Sequence, residues 1–123
     1  MNSDKLKIII NIKKFIIDLD DILVRFPNRE KILKDKIKSI SYDILELVYR
    51  ANYLEVEVYN KERIEIQSNI LAKISFLDFL FEESYHKGYI TESIFHKKIE
   101  ELSNINNNVK KWILYGKSNS KGN

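Results

Sequence analysis

Cysteine is absent from this chain of 123 residues, proline occurs once and glycine three times. Without cysteine there can be no disulfide, no thiolate nucleophile and no thiolate metal site, which fits a reducing cytoplasm. So little glycine and proline excludes a sheet protein, which at this length needs many turns, and predicts a few long helices joined briefly. No apolar run approaches the ~20 residues of a membrane span. The isoleucine-rich start is broken by Asn11, Lys13 and Lys14 and has no small-residue cleavage site, so neither a membrane segment nor a signal peptide is expected. A glycine-rich phosphate loop, a paired-cysteine site and a nucleophile elbow are all missing, so no catalytic residue and no cofactor is expected, and the chain is not read as an enzyme. Charge of one sign is missing too: 21 basic residues face 18 acidic ones, for a net charge of +3.

What is present is helical period. Hydrophobic residues make up 44% and charged residues 32%, a balance that folds rather than stays disordered. From Phe26 to Leu54 the residues Leu33, Ile37, Ile40, Ile44, Leu47, Ala51 and Leu54 recur at steps of four and three, which keeps one helix face apolar. Pro27 ends the helix before it and Asn28 is the expected cap. In the first helix Ile8, Ile12, Phe15, Leu19 and Ile22 form one row, Ile9, Ile16 and Leu23 a second, and Ile10, Ile17 and Val24 a third. A helix apolar over more than half its circumference is either central in a monomer or part of a subunit interface. Tyr42, Leu45, Tyr49 and Val56 add an apolar-aromatic row to the second helix.

The third helix is expected over about 59–87, with Ile66, Ile70, Ile74, Leu77 and Phe81 inward, flanked by Phe76, Phe79 and Leu80. The stretch around Val56 and Val58 reads as the frayed end of helix two and a turn. Gly88 is the expected left-handed stop, and Thr91 caps a fourth helix, with Ile90 and Phe95 spaced as a staple. That helix carries Phe95, Ile99, Leu102, Ile105, Val109, Trp112 and Ile113. The expected architecture is all-α, an up-down-up-down four-helix bundle over residues 1–115, followed by a disordered basic tail over 116–123.

The charge is unevenly spread: residues 89–123 carry +3, and the rest of the chain sums to zero. In an up-down bundle Lys5, Lys7, Lys61, Arg63, Lys110, Lys111, Lys117 and Lys121 fall at the end holding both termini. They are the candidate nucleic-acid-binding residues, because backbone phosphates are held by the density of lysine and arginine. Arg29, Lys31, Lys34, Lys97 and Lys98 fall at the other end. Glu83 and His86 match one Glu-x-x-His step of di-iron bundles, but Glu92 and His96 are four apart and no acid lies on a core row, so no metal site is expected.

Several of these stretches together resemble the Avd-like proteins, the accessory variability determinants of diversity-generating retroelements. Phe26-Pro27, Arg29, Ile37, the run Asp43-Ile44-Leu45-Glu46-Leu47 and Ala51 are similar to their "FP…R…I…LDLLELL…A" signature. Gly88-Tyr89-Ile90-Thr91 resembles their turn before the last helix, and Ile105, Val109, Trp112 and Ile113 resemble their closing "IGR-x-L-GGW-I" pattern. The resemblance covers about residues 20–115. It implies a four-helix protomer, a homopentameric barrel, and a basic surface that binds RNA or an RNA/DNA hybrid and docks a reverse transcriptase. It also implies support of error-prone cDNA synthesis without activity of its own. The closing glycines are replaced here by Asn106, Lys110 and Lys111, and relatives carry arginines where this chain has Asp78, Glu82 and Glu83. The expected basic ring is therefore shifted toward the termini. The same superfamily includes proteins encoded within intervening sequences of 23S rRNA genes, which imply an alternative role as a structural or protein-interaction module. Their "NIAEG" stretch does not occur in 41–51.

Overall fold

Three rows of apolar residues on one helix cannot all face one core. In the computed structural model, which describes residues 3–54 and 56–119, helix α1 spans Ser3–Leu23. Its first row, Ile8 to Ile22, is buried, and Ile9 and Ile16 are half-buried. The third row stays in solvent, with Ile10, Ile17 and Val24 at 64%, 74% and 79% exposure. The helix closes three residues before Phe26. The amides of Arg25 and Phe26 turn back onto Ile22 and Leu23, and Phe26 drops into the core, its ring 5.2 Å from that of Tyr89.

Pro27 is extended, and the expected cap at Asn28 gives way to a single 3-10 turn, Asn28–Glu30, with no side-chain cap bond. The turn is held by the Glu30 amide on the Pro27 carbonyl. Helix α2 then spans Lys31–Tyr53 and buries Leu33, Ile37, Ile40, Ile44 and Ala51 as the spacing predicts. Val48 takes the inward place expected of Leu47, which is half-buried. Ser41 is buried as well, its hydroxyl donating to the Ile37 carbonyl and so leaving no unpaired polar atom.

Helix α3 spans Val56–His86 with a kink where Tyr59 leaves helical geometry. The valines expected to fray from α2 therefore open α3 instead. Its inward face is Ile70, Ile74, Leu77, Leu80 and Phe81, whereas Phe76 and Phe79 stack on each other in solvent. Gly88, at φ +80°, closes α3: its amide bonds Tyr85 O and the Tyr89 amide reaches Ser84 O. This paired reversal needs a left-handed residue. Thr91 Oγ1 accepts from the Ile94 amide at 3.2 Å, and α4 follows over Glu92–Asn119. The helix thus runs through Gly116, where a disordered tail was expected to begin; residues 120–123 lie outside the described residues.

The four helices form a bundle in which α1 packs on α2 and α4, and α3 packs on the same two. Phe15 and Phe81 meet edge to face at 5.8 Å across its centre. Burying side chains of this size stabilises the fold by about 1.5–3 kcal/mol each, before ordering entropy is subtracted. No helix among the described residues is long and apolar enough to cross a membrane.

Candidate nucleic-acid interface

The start of α3 and the end of α4 meet at one end of the bundle, because Arg63 lies against Trp112 and Gly116. Lys61 and Lys117 line one open groove there of about 580 Å³, together with Asn60, Ile64 and Glu65. Lys110 and Lys111 are exposed on α4, and Lys110 lies seven residues before Lys117, on the same helix face. On α1, Lys7 is exposed and Lys5 half-buried. Lys121 lies outside the described residues.

Arg63 corrects the surface reading. It is 3% exposed, its guanidinium carbon 5.7 Å from the Trp112 ring centroid and its Nη1 donating to Asn60 Oδ1 at 3.4 Å. Position 63 falls in register with Ile70, Ile74 and Leu77, so the helical period turns it inward. Burial pushes its guanidinium below the ordinary value. Asn60 and Gln67, which share this inward face, carried no weight in the sequence reading. The signal was there in the spacing: Asn60, Arg63 and Gln67 extend the apolar row of α3 toward its start with three polar residues.

Lys98, expected at the opposite end of the surface, is likewise buried. Its ammonium sits 4.8 Å from the Phe15 ring centroid and 2.8 Å from Glu101 Oε1. Elsewhere cations are neutralised: Lys31 by Asp35, Lys38 by Asp20, Lys73 by Asp43, and Lys87 by Glu30 and Glu83. Among the described residues, Lys5, Lys7, Lys61, Lys110, Lys111 and Lys117 take part in none of the ion pairs. Asp78 is partly enclosed, with one carboxylate oxygen buried and unpartnered, and burial pushes its carboxyl above the usual range. His86 stands beside Glu82 and His96 beside Glu92, two separate exposed pairs, and no metal-binding cluster forms among the described residues.

Comparison of the chain with known protein families, with curated proteins and with solved structures finds no match. The chemistry of this end therefore rests on its own geometry: unneutralised ammonium groups spread over three helices, a groove, and a buried guanidinium behind it.

Proposed function

We propose that this chain is a non-catalytic accessory protein that binds nucleic acid, RNA or an RNA/DNA hybrid, in support of a reverse transcriptase, as its resemblance to Avd-like proteins implies. One observation carries the nucleic-acid part: among the described residues, Lys61, Lys110, Lys111 and Lys117 cluster at one end of the bundle without an ion pair, as Lys34 and Lys97 stand at the other, whereas Lys31, Lys38, Lys73 and Lys87 are paired. Free ammonium groups are what phosphate neutralisation and counterion release require.

The proposed assembly is a homopentameric ring of up-down-up-down protomers. Its support is the exposed row Ile10, Ile17 and Val24 on α1, beside Tyr42, Tyr49 and Tyr53, all exposed on α2. The two helices are neighbours, joined by Lys38 on Asp20 and by Lys13 over the Tyr49 ring. Exposed apolar and aromatic side chains gathered on two neighbouring helices are what a partner site uses. A ring would repeat the lysine-bearing end around its axis, so that weak fields add.

Two measurements test the reading. Light scattering should return an oligomer for the native chain and a monomer for Ile17→Lys/Tyr42→Lys; a monomeric native chain removes the ring. A gel shift with structured RNA should weaken on Lys110→Glu/Lys111→Glu, with a shallower salt dependence. Equal binding by both proteins removes the assigned surface. The exposed Phe76–Phe79 pair on α3 favours a second reading, a protein-interaction module without nucleic acid. No RNA shift at any salt, with an intact oligomer, selects it.

A further inference from the structure

The inward face of α3 changes character near its start. From Phe81 back to Ile70 it is apolar, and then Gln67, Arg63 and Asn60 follow at 0%, 3% and 8% exposure. Neither amide atom of Gln67 has a hydrogen-bond partner. Among the described residues Arg63 has no carboxylate at ion-pair distance, and one long bond to Asn60 uses one of its five N–H donors. A buried cation without a counter-charge is costly, and the Trp112 face offsets only part of that. Buried polar groups are otherwise paired almost without exception, so an unpaired Gln67 amide beside a buried guanidinium with a single long hydrogen bond calls for a missing partner.

The groove of about 580 Å³ lies alongside. Asn60 belongs to both features: it lines the groove and accepts from Arg63. Lys61 and Lys117 line the same groove. Gly116 makes the arrangement possible, since a Cβ there would lie 2.6 Å from Arg63 Nη1. Lys61, Lys117 and the Asn60 amide thus line the groove, and the Arg63 guanidinium, which does not itself line it, is held behind Asn60; a guanidinium fork matches a tetrahedral oxyanion. Glu65, also on the groove, opposes an anion and limits its affinity.

We propose that this groove is a binding site for a single phosphate group, with Lys61, Lys117 and Asn60 on its lining and the Arg63 guanidinium, bonded to Asn60, supplying a further donor from behind. It does not depend on the nucleic-acid reading. Loss of this site with the gel shift retained sinks it alone, and a bound phosphate with no RNA shift sinks only the other.

The test is calorimetric titration of the full chain with inorganic phosphate, at ionic strength held constant with chloride. The native chain should give saturable heat, and Arg63→Met should bind at least about tenfold more weakly, the loss of one charge-assisted bond. Two further variants keep the test decisive if Arg63→Met does not fold. Gly116→Ala retains every charge but displaces the guanidinium, and should weaken binding. Glu65→Gln removes the opposing charge at an exposed position, and should tighten it. No saturable heat from the native chain, or equal affinity in the native, Gly116→Ala and Glu65→Gln proteins, overturns the site. Competition by a short RNA with a 5′-phosphate, but not by its 5′-hydroxyl counterpart, assigns the phosphate to a strand end. Competition by neither assigns free phosphate. Equal displacement by both RNAs returns the groove to backbone binding and overturns the single-phosphate site.

Discussion

The two ends of the bundle treat polar groups in opposite ways. Where α1 passes to α2 and α3 to α4, a set of polar contacts is completed. Tyr89 donates to Glu30, Lys87 bridges Glu30 and Glu83, the Ser84 hydroxyl donates to Leu80 O, and Thr91 caps α4. Where α3 begins and α4 ends, Gln67 is buried unpaired and Arg63 has no carboxylate partner among the described residues. Closed polar networks hold a structure together, whereas an open one inside a packed bundle destabilises it unless something from outside completes it. The first end is closed; the second is the end to which binding is proposed.

The largest effect expected at the open end is from Trp112→Ala. It removes a side chain 2% exposed, leaves a cavity, and takes away the ring beneath Arg63. A loss of about 3–5 kcal/mol in urea unfolding is expected. A much smaller loss would mean that this end is loosely packed and that the contrast with the other end is one of order rather than chemistry.

Gln67→Leu sharpens the same contrast in the opposite direction. Replacing an unpaired buried amide with an apolar side chain should raise stability by about 1–2 kcal/mol, read from the same denaturant curves. A loss instead would mean that the amide is paired in solution.

Asp78, between the two ends, gives a smaller effect with a defined pH signature. Its folded carboxyl is pushed up by burial, so the charged form destabilises the native state above that raised value and the penalty disappears as the group protonates. Asp78→Asn should therefore raise Tm at neutral pH, with the gain shrinking as pH falls. A gain independent of pH would show that desolvation of the carboxylate is not its cause.

The smallest effect belongs to the closed end. The Tyr89 hydroxyl, then Lys87, holds the Glu30 carboxyl below its ordinary value of 4.5. A lowered folded value contributes stability in full above the ordinary range, lost as pH falls through the folded value. Tyr89→Phe should lower Tm modestly at neutral pH and match the native chain in strong acid. A constant difference at all pH values would assign the effect to packing against Phe26 rather than to the hydrogen bond.

Much of the bundle was legible in the chain. The rows Ile8–Ile22, Ile37–Ile44 and Leu102–Trp112 are buried as their spacing predicts, and Gly88 and Thr91 make their turn and cap. These outcomes rest on local geometry, 3.6 residues per turn and a left-handed stop, which neighbours in sequence impose. The start of α3 was less legible, because Val56 and Val58 are weak helix formers, yet the helix opens at Val56. The candidate site was half legible: Lys7, Lys61, Lys110, Lys111 and Lys117 are exposed as charged side chains ordinarily are, but Arg63 and Lys98 are buried, where a basic side chain in a helix reads as solvent-facing.

The sequence by itself determined that this protein is helical, where its turns fall and which rows form its core, because each depends on residues within a few positions of one another. Only the tertiary structure decided that Arg63 would lie on Trp112 beside Gly116, and that the third apolar row of α1 would remain uncovered. Both depend on which faces of distant helices meet, and the packing of four helices, unlike the period of one, is a property of the whole chain.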